Sequence, residues 1–145
     1  MEKNREFWTK TPDGLMRARG LGLEFQGTPA TYNSITDVPD LEVGYTTLIE
    51  DRGTSKIRTG VTAILPRGRR NANKFVHAGY FSLAGNGDMT GTPWVEESGL
   101  LNLPVLLTNT FSVGRCHHAL IGLSNKNFPN ALSDFGAPVV LETYD

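Results

Sequence analysis

Residues Gly85-Asn86-Gly87-Asp88-Met89-Thr90-Gly91 place three glycines within seven positions, between an apolar run and a capped helical start. Glycine tolerates positive φ and lets one backbone approach another closely. The stretch therefore predicts a tight turn packed against a neighbouring strand. A phosphate cradle is the competing reading, and the spacing argues against it. No lysine follows in the P-loop pattern, and the helix begins too late for a dinucleotide fingerprint. Asn86 and Asp88 are residue types that local turns use.

The chain has 145 residues, enough for one domain with one core, and residues 1–145 are read as a single unit or part of one. Lysine plus arginine number 14 and aspartate plus glutamate 15, a net charge of -1. That balance offers no long-range attraction for nucleic acid or an anionic membrane, so neither is expected as a partner. No run is long and apolar enough to span a bilayer. The start, Met1 to Trp8, has charge but no following apolar segment, so it is not read as a secretory signal. The single cysteine, Cys116, cannot pair internally. A cytoplasmic location is the simplest expectation.

Along the chain, Thr11-Pro12-Asp13 predicts a helix through Arg19, stopped by Gly20 and Gly22. Ser34–Val38 and Leu41–Ile49 predict strands about a Pro39-Asp40 turn. Glu50–Lys56 predicts a polar hairpin loop, Thr59–Leu65 a strand, and Arg67–Lys74 a solvated basic loop. Phe75–Leu83 predicts a strand leading into the glycine turn, with His77 at the edge of the core. Thr92 predicts an N-cap with Pro93 at the first helical position. Pro104–Asn109 predicts a buried strand. Ser112 predicts the cap of a helix through Lys126, with Val113, Cys116, Leu120 and Leu123 on one stripe. Ala137–Tyr144 predicts a last, apolar strand, which needs covering or pairing. Strands thus outweigh helices in a mixed α/β (α+β) fold.

Glu142 and Tyr144 lie two apart on that last strand, so their side chains share a face. Two readings stand open on the residues alone. In one, the pair walls a site: the carboxylate holds a cationic group and the phenol donates to a developing oxyanion. In the other, the strand simply surfaces at its end. His117 and His118 are adjacent and point about 100° apart on a helix, which does not suit one small ion. No metal-ligand spacing appears, and no metal or cofactor is expected. Cys116 reads as an inert thiol. Ser98 lacks a nucleophile elbow, and no nucleophile–base pair can be assembled from this sequence.

Six segments in order resemble the DmpA-type L-aminopeptidase/D-esterases, the β-peptidyl aminopeptidases of peptidase family S58. They are Asn33–Pro39, Val43–Ile49, Arg58–Gly68, Gly85–Gly99, Leu107–Thr110 and Glu142–Asp145, and the resemblance extends to the Arg5-Glu6-Phe7-Trp8 start. The resemblance implies an αββα sandwich, made as a precursor that cuts itself before a serine. The freed N-terminal serine is then the nucleophile, with its own α-amine as base. It implies small peptide, amide or ester substrates with a free amino end, and a homo-oligomer.

Carried onto this sequence, the resemblance makes Glu142 the acceptor of the substrate's ammonium and Tyr144 a catalytic contributor to oxyanion stabilisation. Asn86, Met89 and Trp94 line the pocket or only hold it. The family's cleavage junction, its nucleophile and an asparagine of the oxyanion site lie further along than Asp145. The chain is therefore expected to be an incomplete, N-terminal portion of the sandwich, partnered by a C-terminal portion of the same enzyme. A truncated, non-catalytic relative acting as an oligomeric scaffold is the alternative. The ornithine acetyltransferases, which cut themselves before a threonine, are a third reading.

Overall fold

A computed structural model describes residues 6–129 and 136–144. Arg5 and Asp145, both part of the resemblance, lie outside the described residues. The chain divides into two compact units between Leu41 and Glu42.

The first unit is mostly turns. A short helix, α1 (Glu6–Thr9), is followed by a reversal that pairs Lys10 with Met16. The helix expected over Thr11–Arg19 does not form. The Thr11 hydroxyl does accept an amide, but from Leu15 at 3.1 Å, and Gly14 sits at φ 81°, which turns the chain back before a second helical turn can start. A 3-10 turn spans Ala18–Leu21, with Gly20 inside it, and ends at Gly22 in the left-handed region (φ 85°).

Ser34–Val38 is not a strand either. Ile35–Asp37 is a 3-10 turn closed by a capping box, in which the Asp37 carboxylate accepts from the Ser34 amide at 3.0 Å. A serine followed three residues later by a carboxylate satisfies the orphan amides of such a turn locally. Within this unit Trp8 Nε1 donates to the Ala30 carbonyl at 2.8 Å, and Arg17 Nη1 to the Asn33 carbonyl at 2.6 Å. Side-chain to backbone bonds of this kind satisfy carbonyls that no ladder pairs.

The second unit is mixed α/β, as the sequence pattern predicts. Strand β1 (Glu42–Arg52) and strand β2 (Ser55–Leu65) form one long antiparallel hairpin. Its loop is only Gly53-Thr54, shorter than expected, with Gly53 at φ 60°. A glycine at positive φ in a two-residue loop matches the right-handed strand twist, so pairing continues through the polar residues. Strand β3 (Val76–His77) pairs with β4 (Leu100–Leu101) around helix α2 (Thr92–Ser98). Strand β5 (Val105–Asn109) leads into helix α3 (Val113–Asn127), and the chain returns as β6 (Val139–Thr143), parallel to β5. The four-stranded sheet runs β1-β2-β5-β6.

The strand expected over Phe75–Leu83 contracts to two residues because β4 is only two residues long, so the ladder runs out. Phe81 and Leu83 are exposed, and so is His77, which does not sit at the core edge. Helix α2 starts one residue early: Gly91, at φ 76°, holds the cap position and Pro93 is the second helical residue. On α3 the buried stripe is Val113, Leu120 and Ser124; Cys116 is half-buried, while Leu123 falls at the stripe's margin and is 54% exposed.

Neighbouring residues of a strand face opposite ways, yet Val139 and Val140 are both buried, so β6 is covered on both faces. Val139 joins Val95 and Leu101 in a core cluster, with Met89, Trp94 and Val105 packed around it. Helix α3 packs on β5 and β6. The backbone at Gly91 is both left-handed and crowded: an added Cβ would lie 2.9 Å from the Pro138 carbonyl oxygen. Gly91→Ala should therefore cost about 1–3 kcal/mol. Gly122→Ala, mid-helix with open space around it, should stabilise by about 0.5–1 kcal/mol. Urea unfolding midpoints check both signs.

Candidate active site

The glycine-rich turn delivers Asp88, Met89 and Thr90 to the outer edge of β6. The Glu142 amide donates to the Asp88 carbonyl at 2.9 Å and the Thr90 amide to the Val140 carbonyl at 3.0 Å. Met89 bridges Leu141. The Thr90 hydroxyl accepts from the Val140 amide at 2.9 Å and donates to the Pro138 carbonyl at 2.7 Å. Close backbone packing is the tertiary reason for the glycines, as their density predicts. The segment occupies donors and acceptors that an edge strand otherwise leaves open.

Glu142 stands at the meeting point of this segment and β5. The parallel register sets Thr108 beside Glu142, and Thr110 follows at the start of the 3-10 turn that leaves β5. The Thr110 hydroxyl donates to Glu142 Oε1 at 2.6 Å, and the Asp88 amide donates to Oε2 at 2.8 Å. Each carboxylate oxygen thus holds one donor. The Thr110 hydrogen bond, then the Asp88 amide, keep the Glu142 carboxyl below its ordinary value of 4.5, against a small opposing push from desolvation. Glu142 is half-buried and opens into a cleft of about 400 Å³ shared with Tyr80, Phe81, Met89 and Leu141.

The other sequence candidates are placed as follows. Met89 lines the same cleft and also packs on the core. Asn86 is exposed on the turn, between Gly85 and Gly87, which both line the cleft. Trp94 lies on α2 against the Val95–Leu101–Val139 cluster. Tyr144 is fully exposed and lines a separate hollow with Ile57, Thr59 and Phe111. Thr110 borders that hollow too, so it stands between the carboxylate and the phenol. Sequence reasoning read Asp88 only as a turn residue and gave Thr110 no role at the site. They come from 54 and 32 positions away; the turn beside β6 brings the first to Glu142 and the β5–β6 register the second.

Elsewhere, Arg69 pairs with Glu42 at 2.7 Å on an exposed loop. Among the described residues no three His, Cys, Asp or Glu side chains are grouped to hold a metal ion, and no helix is long and apolar enough to cross a membrane.

With that geometry in hand, the comparisons with known proteins converge. The family model for peptidase family S58 matches residues 33–145. The β-peptidyl aminopeptidase BapA of Sphingosinicella microcystinivorans is 46% identical over 135 residues, covering 89% of this chain and 33% of that protein. Among solved structures, the L-aminopeptidase D-Ala-esterase/amidase of Ochrobactrum anthropi superposes with a TM-score of 0.77 at 41% identity, over 88% of this chain and 38% of its own. A β-aminopeptidase of a Burkholderia species gives 0.76 at 45% identity, over 89% and 36%. The fold is thus that of the Ntn-hydrolase-type aminopeptidases. The chain belongs to peptidase family S58 and spans about a third of the length of the curated relatives it matches.

The depressed carboxyl has a signed consequence for stability. A carboxyl held low in the folded state contributes stability above its unfolded value, and that contribution fades as pH falls through the folded value. Stability should therefore decline below pH 4.5 partly through Glu142. A Glu142→Gln variant should lack that component, so its unfolding midpoint should approach the unsubstituted protein's as pH falls from 7 to 3. A difference that stays constant over this range would assign the acid sensitivity to other carboxylates.

Proposed function

We propose that this chain forms the amine-recognising wall of a serine aminopeptidase. Its substrates are peptides, amides or esters with a free amino terminus. The attacking serine, which serves as its own base through its α-amine, comes from the part of the family's length that residues 1–145 do not span. It is freed by self-cleavage of a precursor, and the assembled enzyme is a cytoplasmic homo-oligomer. The observation that carries the reading is Glu142: a carboxylate kept ionised, gripped at both oxygens, and open to a cleft whose walls include Phe81, Met89 and Leu141.

An ammonium group entering such a cleft loses hydration and needs a counter-charge to compensate. A carboxylate fixed in space supplies the charge and also measures distance. Once the amine is seated, the first carbonyl of the substrate lies a set number of bonds away, which selects the terminal residue. Tyr144, beyond the end of β6 with its hydroxyl accessible, is proposed to donate to the oxyanion that forms when the serine attacks that carbonyl. The relatives' names support the class: one is a β-peptidyl aminopeptidase, another an L-aminopeptidase D-Ala-esterase/amidase. The exposed Tyr45 and Ile49 of β1 are consistent with a surface that further sequence of the same enzyme covers.

In the complete enzyme, Glu142→Gln should preserve the local geometry, since an amide can accept from the Asp88 N–H and donate to Thr110, while removing the charge. Its kcat/KM for a free-amine anilide should fall about 10–100-fold, the worth of a hydrogen bond to a charged group. N-acylated substrates should be affected far less, and equal losses on both would refute the ammonium role. Tyr144→Phe should lower kcat about 100-fold with KM little changed.

A further inference from the structure

We infer that Thr110 is the positioning residue for the amine-recognising carboxylate, locking the Glu142 side chain into the one orientation that presents its remaining lone pairs to the cleft. The inference rests on the aminopeptidase reading above and extends it to a residue that acts through Glu142.

A glutamate side chain has three soft torsions, and freezing them when a ligand arrives subtracts from affinity. Here the cost is met in advance. Oε1 receives the Thr110 hydroxyl at 2.6 Å and Oε2 the Asp88 amide at 2.8 Å. Two donors on different oxygens fix both the position and the plane of the carboxylate. Each oxygen accepts about two hydrogen bonds, so each keeps one acceptor site for an incoming ammonium.

The two donors differ in kind. Asp88 gives a backbone amide held by the ladder beside β6, beyond the reach of side-chain substitution. Thr110 gives a hydroxyl from the first residue of the 3-10 turn Thr110–Ser112 that enters α3. Its β-branched side chain is stiff at χ1, so the hydroxyl is aimed rather than free to rotate through many positions. Its single proton is committed to Glu142, so on its other side, towards the hollow that Tyr144 lines, Thr110 offers acceptor capacity only.

The test compares Thr110→Val, which keeps the shape and removes the hydroxyl, with Thr110→Ser, which keeps the hydroxyl, in the complete enzyme. Thr110→Val should raise KM for a free-amine anilide about tenfold, the size of one hydrogen bond to a charged group, with kcat little changed. The acid limb of its kcat/KM profile should move up towards the ordinary carboxylate range. Thr110→Ser should restore most of both. A Thr110→Val enzyme with unaltered KM and acid limb would overturn the positioning role, as would a uniform loss in both variants. If Thr110→Val does not fold, a carbon-13 carboxyl titration of the unsubstituted protein and of Thr110→Ser decides. Glu142 titrating at its ordinary value in either would overturn the inference. Glu142→Gln serves as the separate control. If it leaves free-amine substrates unaffected, the amine reading itself fails. If it weakens them while Thr110→Val does not, only the role of Thr110 fails.

Discussion

The outer edge of β6 is the constraint on which the second unit depends. A strand at the end of a sheet leaves alternate amides and carbonyls without partners, and burial on both faces denies them water. Here the segment Asp88–Thr90 supplies the partners, partly through backbone and partly through the Thr90 hydroxyl, which serves an amide and a carbonyl at once. Such an arrangement asks the chain to arrive close to β6 and then leave sharply into α2. Gly91 makes the departure possible, since a Cβ there would collide with the Pro138 carbonyl. Glycine composition, edge satisfaction and the start of α2 are consequences of one contact.

The same contact builds the site. By running beside β6, the turn points the Asp88 amide at a side chain from the strand it covers. Parallel pairing of β5 and β6 does the rest. A parallel connection needs a crossover, and α3 provides it, so the end of β5 and the start of the crossover lie beside the end of β6. Thr110 occupies that corner. Two long-range features, an edge cover and a parallel register, therefore converge on a single carboxylate. Its ionised state follows from hydrogen bonding rather than from a neighbouring cation: the causes acting on it are the Thr110 hydroxyl, the Asp88 amide and a weaker opposing desolvation. Among the described residues no cation is paired with it, which suits the proposed engagement of a cationic ligand group.

What was legible in the sequence was what local patterns determine. Strand β5, helix α3 and strand β6 are announced by apolar runs bounded by proline and turn residues, and the glycine density announces a close approach; Ser112 marks the start of α3, but its side chain makes no cap hydrogen bond. The expectations that failed did so where a local competitor prevailed. Thr11-Pro12 is a sound helix start, but Gly14 reverses the chain within one turn. Ser34 and Asp37 close a capping box, which displaces the strand suggested by Ile35 and Val38. The apolar content of Phe75–Leu83 suits a strand, but β4 offers only two residues to pair with. Glu142 was legible as a carboxylate at the end of an apolar strand. Its donors were not, because neither Asp88 nor Thr110 carries any periodic signal tying it to residue 142.

The pair proposed to recognise and to react differs in what orders it. Among the described residues, the two donors to Glu142 lie within the second unit: Asp88 in the segment bonded along β6, and Thr110 in the turn that directly follows β5. On the proposed reading, recognition of an amine is pre-organised within the second unit. Tyr144 follows the last ladder residue of β6 and stands fully in solvent. A phenol that stabilises an oxyanion must be held within hydrogen-bond distance of the reacting oxygen to contribute to the rate, and a side chain in bulk water loses rotamer freedom when it is so held. On the proposed reading, the phenol gains that order only in the complete enzyme that also carries the serine. The proposed amine site is therefore ordered by the strand pairing described here, whereas the proposed oxyanion donor is not.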